Sequence, residues 1–128
     1  MILYSANNFE SRHYAIGYAS ADHPLGTFHK SPDNPILETN IPRGGGVSGI
    51  GHCSIVRHFK TKELLCVYHG RTVISGSNRV VFIDPFRFKA NGAVEILGPT
   101  EGSRLPPPEK PPSAISINNP GQALKNLR

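Results

Sequence analysis

A chain of 128 residues and 13.9 kDa has room for one modest domain, and with 38% apolar and 18% charged residues it can fill a core and is not composed like a disordered polypeptide. Thirteen glycines and twelve prolines count against long helices, no apolar run reaches the ~18 residues of a membrane-spanning helix, and the opening Met1-Ile2-Leu3-Tyr4 has neither the basic region nor the apolar stretch of a signal peptide. Fourteen Lys plus Arg against nine Asp plus Glu give a net charge of +5, but the basic residues are scattered singly, so neither nucleic acid nor membrane is an expected partner.

In chain order, Ile2–Ala6, Tyr14–Ser20, Cys53–Phe59, Leu64–His69 and Arg79–Ile83 are short runs rich in Val, Ile, Tyr, Phe and Leu, each bounded by turn-forming residues. They read as strands of antiparallel sheets. Asn91-Gly92, between Phe86-Arg87-Phe88 and Val94-Glu95-Ile96, predicts a hairpin with a type I′ turn. Asn34-Pro35 and Asp84-Pro85 hold the residue before each proline extended. Pro42–Gly51 carries five glycines and is expected to be a loop linking two small sheets. The runs LLCVY and VVFI are apolar without alternation, which suits strands covered on both faces.

From Gly102 onward the sequence turns proline-rich (SRLPPPEKPPSAISINNPGQ) and is expected to be extended or disordered, with two turns of helix open to Gln122–Arg128. The domain reading is therefore a body over residues 1–101 and a tail over 102–128. Cys53 and Cys66 match no zinc spacing and lie in apolar runs, which favours buried thiols. A turn near Lys60–Lys62 also leaves open a disulfide between neighbouring strands. Successive antiparallel units with a Gly-rich linker suggest propeller blades, with a small sandwich as the alternative.

Three stretches are more specific: LYSANNFESRHYAIGYASADHPLGTFHKSPDNPIL, GVSGIGHCSIVRHFKTKELLCVYHGR and NRVVFIDPFRFKANGAVEILGPT. In order and spacing they resemble the C-terminal part of glycoside hydrolase family 43, the five-bladed β-propeller enzymes acting on arabinose- and xylose-containing polysaccharides. The resemblance covers about the first hundred residues. It implies an all-β fold of about two four-stranded blades, and a parent activity of glycosidic hydrolysis with inversion. It also implies an arabinose- or xylose-containing saccharide as partner. Members of the family are commonly secreted. In them an aspartate base, a second aspartate that tunes the acid, and a glutamate acid do the chemistry, with acid and base about 6.5–9.5 Å apart. All three belong to segments before the strand that ends in YSAN, so the resemblance implies that this chain holds none of them.

Two residues match the family's functional positions. His52, in GIGHCS, resembles the histidine that projects from an innermost strand into the propeller channel and binds a calcium ion or a water; an imidazole with its other nitrogen held suits that role. Arg79, in SNRVVF, resembles the arginine that enters the sugar pocket from the last blade, where its forked donors suit vicinal hydroxyls. The acidic residues sit mostly in turns or at strand ends; Asp84, closing VVFI, is the best placed and its motif is structural. His69 reads as strand-end packing. His13, His23, His29 and His58 read as loop or surface residues. Tyr4, Phe9, Tyr14 and Tyr18 are read as core rather than as a stacking platform. A polypeptide of two blades is further expected to self-associate through uncovered faces and edges. The alternative from another class is a non-catalytic carbohydrate-binding or interaction module that keeps His52 and Arg79.

Overall fold

The computed structural model describes residues 1–102. Its seven strands are β1 (Ile2–Ala6), β2 (Ala15–Ser20), β3 (His29–Lys30), β4 (Val47–Arg57), β5 (Leu64–Thr72), β6 (Val80–Phe88) and β7 (Val94–Ile96). They form two antiparallel meanders, a three-stranded sheet β1-β2-β3 and a four-stranded sheet β4-β5-β6-β7. This is the all-β, blade-by-blade organisation expected. The first sheet has three strands in place of four; Leu37 adds a single bridge to Ile16. The proline-rich segment and the helix expected over Gln122–Arg128 lie outside the described residues.

The two sheets pack through one face each. Ile16, Tyr18 and Leu37 of the first meet Val47, Ile50, Cys66, Tyr68, Phe86, Val94 and Ile96 of the second. The strand period of two puts Cys66, Tyr68 and Gly70 of β5 on this inner face. Asp84 lies on it as well and is fully buried. Its Oδ2 accepts the Tyr68 hydroxyl at 2.6 Å and the Thr100 N–H at 3.1 Å. Gly98 makes room for it, since a Cβ there would run into the carboxylate. Asp84 thus ties the segment after β7 to the sheet and is structural.

Several expectations need correcting. Only residues 42–46 of the Gly-rich stretch lie outside β4, which already starts at Val47; a short 3₁₀ turn covers Ile41–Arg43. The register of β4 on β5 shifts between Ser48 and Gly51 and again between Gly51 and Ser54. Glycine therefore serves bulges inside a strand, with Gly49 at φ +60°. The 88–94 hairpin forms, but only Gly92 has positive φ (+81°). Its turn closes through Gly92 N–H to Lys89 O and Lys89 N–H to Ala93 O, with the Asn91 side chain accepting from Ala93 N–H, so it is not type I′. Among the described residues VVFI is covered on one face only: Val81 stays 71% exposed. Cys66 faces Ile55 across the ladder, and both cysteines are free thiols.

Tyr68→Phe removes a donor to a buried carboxylate and should cost about 1–3 kcal/mol. For a domain of this size that is a fall in Tm of roughly 4 °C or more by calorimetry. An unchanged Tm would mean that Asp84 draws on another donor.

Candidate functional site

The connection between β1 and β2 crosses onto the second sheet and builds a site there. Its shape is set locally. Asn7 takes φ +72° and its side-chain amide donates to His13 O, the Asn8 side chain accepts from Glu10 N–H, and Tyr14 N–H returns to Ser11 O. Short polar side chains closing their own backbone make such a loop self-supporting. Three of its residues then reach across. Phe9 lies under the Arg79 guanidinium at 5.2 Å, the Glu10 carbonyl accepts from Arg71 Nη2 at 2.7 Å, and the Tyr14 ring meets the edge of His69 at 6.0 Å. On β4 the seat is provided by absent side chains, because a Cβ on Gly51 would clash with Tyr14 and one on Gly49 with Arg71.

Under this loop, on the face of the second sheet turned away from the core, lies a shallow recess of about 320 Å³ lined by His52, Ser54, Val67, Tyr68, His69, Arg79 and Val81. His52 stands at a positive φ of +55°, its backbone N–H donating to Ser5 Oγ of β1 at 2.7 Å. That link orients the residue away from the core and leaves its side chain exposed. Its ring is 6.0 Å from that of His69. His69 Nδ1 is 3.1 Å from the Gly51 carbonyl, which can only accept, so the proton of the neutral ring sits on Nδ1 and Nε2 keeps its lone pair. Burial holds the His69 imidazole below its ordinary range, and the charges of Arg79, His52 and Arg71 add to the shift.

The two residues singled out in the sequence, His52 and Arg79, therefore line one recess. His69 joins them, and reading it as strand-end packing missed this; the signal was its even spacing from Arg71 on β5, which puts both on the outer face. Among the aromatics, Tyr18 is core, while Phe9 and Tyr14 belong to the site. No carboxylate lines the recess. Three of the acidic groups among the described residues are engaged elsewhere: Glu38 pairs with Arg43 at 3.6 Å, Glu95 with Lys89 at 3.8 Å, and Glu101 accepts from Asn40 and Gly46. The described residues around His52 do not supply the six to eight oxygen ligands of a calcium ion; the recess offers the imidazole of His69, the guanidinium of Arg79 and the hydroxyl of Ser54, with no carboxylate. A larger recess of about 360 Å³, between Tyr4, His13, Asn34 and Glu38, lies beside the first sheet and holds one carboxylate, that of Glu38.

The family model for glycosyl hydrolases family 43 matches residues 1–94. The chain belongs to this family. Among solved structures it is similar to a thermostable family-43 glycoside hydrolase, at 40% identity over 84% of this chain and 34% of that one, with a TM-score of 0.70. It is also similar to an endo-1,4-beta-xylanase from Bacteroides thetaiotaomicron VPI-5482, at 30% identity over 76% of this chain and 33% of that one, with a TM-score of 0.65. The family-43 BlXynB protein from Bacillus licheniformis, 22% identical over 77% of this chain and 20% of that one, shares the fold at a TM-score of 0.66. The chain thus spans about a third of the length of the first two. No functionally curated protein matches it.

In this family-43 chain the recess makes a titration testable. His69 should titrate below the ~6.5 of a free histidine, and Arg79→Ala should raise its midpoint by removing one of the repelling charges, read from the ring-proton shifts by NMR. The sign for stability follows: below ~6.5 the unfolded chain takes up a proton that folded His69 refuses, so stability is lost as pH falls from there toward the lower folded midpoint. A His69 midpoint at or above the free value would overturn the arrangement.

Proposed function

We propose that this chain forms the C-terminal part of the propeller of an inverting glycoside hydrolase acting on xylose- or arabinose-containing polysaccharide, and that its outer recess is one wall of the sugar site. The observation that carries this reading is the composition of the recess: Arg79, His52 and His69 converge on about 320 Å³ with no carboxylate among the lining residues. Such a wall can exchange hydrogen bonds with hydroxyls but lacks the pair of carboxylates that inverting hydrolysis uses as acid and base. The acid and base then come from parts of the fold outside this chain. A xylose-containing substrate is favoured by the endo-1,4-beta-xylanase to which the chain is 30% identical.

In this reading Arg79 is the principal sugar-binding residue. The Phe9 ring, 5.2 Å from the guanidinium carbon, holds Arg79 by a cation–π contact, so its donors are presented to a sugar with less entropy left to lose. His69, neutral with Nε2 free, accepts from a hydroxyl, and the exposed His52 lines the same recess. Val67 and Val81 give the apolar floor on which a sugar ring rests.

The purified chain should show no turnover of nitrophenyl xyloside or arabinofuranoside above a heat-killed control. Turnover abolished by one carboxylate substitution within the chain would sink this reading. In NMR titration, xylo-oligosaccharide should shift the His52 and His69 resonances, and Arg79→Ala should weaken binding roughly tenfold, the loss of one charge-assisted hydrogen bond.

The outer face that carries the recess continues as an apolar surface of Val56, Val81 and Ile83, at 43%, 71% and 36% exposure. At ~25 cal/mol per Å², covering a few hundred Å² of it is worth several kcal/mol. The free chain should self-associate at micromolar concentration by light scattering, and Val81→Lys should shift it toward monomer. A strictly monomeric wild-type chain with a sharp melt would argue against the uncovered blade face.

A further inference from the structure

The two thiols of this molecule lie on the opposite face of the second sheet from the recess and play no part in the sugar site. Cys66, on β5, is fully buried, whereas Cys53, on β4, is half-buried at the margin of the core. In a regular ladder their side chains would be only diagonal neighbours, since Cys66 stands opposite Ile55. The register shift between Gly51 and Ser54 spans His52 and Cys53, so the ladder is not regular at this point. Cys53 packs against the buried cluster that contains Cys66, so the two thiols share one face of the β4–β5 ladder, and both are free.

We propose that Cys53 and Cys66 are a peroxide-responsive thiol pair, in which Cys53 is the attacking thiol and Cys66 resolves it into an intramolecular disulfide joining β4 to β5. The asymmetry of the pair assigns the roles. Cys53 has access to solvent, and the neighbouring Cys66 thiol pulls its own down to about 7, helped by its backbone N–H against the opposing effect of burial. Cys66 is pushed up by the neighbouring Cys53 thiol, by burial, and by the negative charge of Cys53 and then of Asp84, its ladder partner on β6. Tyr68 of β5, bonded to Asp84, and Tyr18 of β2 are the other ionisable side chains of the core cluster. None of them is cationic. An accessible, acidified thiol beside a resolving thiol is the arrangement that makes cysteine oxidation selective and reversible.

The chemistry balances with a hydroperoxide as oxidant. The Cys53 thiolate attacks one peroxide oxygen, the O–O bond breaks, and the departing oxygen leaves as water or an alcohol after taking a proton. Cys53 is then a sulfenic acid. The Cys66 sulfur attacks that sulfur, the S–O bond breaks as the S–S bond forms, and the released hydroxide leaves as water with the Cys66 proton. Two thiols give up two electrons and the peroxide takes them.

The test treats the whole folded chain with hydrogen peroxide at pH 7, quenches with iodoacetamide, and weighs the product. The expected product is lighter by two hydrogens, carries no alkyl group on either cysteine, and reverts with dithiothreitol. In urea the same reaction should slow roughly tenfold, as Cys53 returns toward an ordinary thiol of ~8.5. In Cys66→Ser, Cys53 should stop at a sulfenic acid trapped by dimedone, while Cys66 in Cys53→Ser should resist peroxide. Equal rates in buffer and urea, alkylation of Cys66 ahead of Cys53, or no disulfide in the wild-type chain would each overturn the proposal without touching the sugar-site reading, which depends on the other face.

Discussion

The close approach of the β1–β2 connection to β4 governs the rest of this structure. Gly49 and Gly51 leave no Cβ where Arg71 and the Tyr14 ring must pass. Without those two openings, residues 7–14 would stand off the second sheet, Phe9 would not reach Arg79, and the Glu10 carbonyl would not meet Arg71. The same two positions place the bulges of β4. One local freedom thus joins the two sheets and seats the loop beside the outer recess.

Joining the sheets in this way has an electrostatic consequence. It brings Arg71, Arg79 and His52 within reach of His69, and no carboxylate lines the recess that His52, His69 and Arg79 share. A cluster of like charge in a partly desolvated place is unstable unless some members stay neutral, and His69 is the member that does. Its proton is held at Nδ1 by the Gly51 carbonyl, which leaves an acceptor at Nε2 amid donors. A surface that mixes one acceptor with the guanidinium donors matches hydroxyl groups, each of which both gives and takes a hydrogen bond. Four cationic groups at full charge would match an anion instead.

Much of this was legible in the sequence, and what was not has identifiable causes. β1, β2 and β5 follow directly from branched and aromatic runs between turn residues, and the Asn91-Gly92 hairpin is found where it was expected. The stretch 47–51 was not legible, because five glycines in ten residues read as a loop until one sees that Gly49 and Gly51 are needed for contacts from residues far away in sequence. Propensity is local, and the reason for these glycines is tertiary. VVFI failed in the opposite direction. Its lack of alternation suits cover on both sides, and among the described residues only the inner face has it, with Val81 and Ile83 left open. For the site, the GIGHCS and SNRVVF motifs led to His52 and Arg79. His69 and Phe9 became visible only when the loop was seen to cross between sheets.

A final consequence concerns β4 itself. In an ideal strand, successive residues face opposite sides, so His52 toward solvent and Cys53 toward the core is ordinary alternation. What alternation alone does not give is the pairing of each with a group on β5, because the ladder opposes Gly51 to His69 and Ile55 to Cys66 and leaves both His52 and Cys53 between these registers. The register shift spans both residues, with His52 near His69 on one face and Cys53 on the same face as Cys66 on the other. The irregular stretch of this strand therefore carries different chemistry on its two faces, and a bond drawn between the sulfurs would act on the backbone segment from which His52 projects.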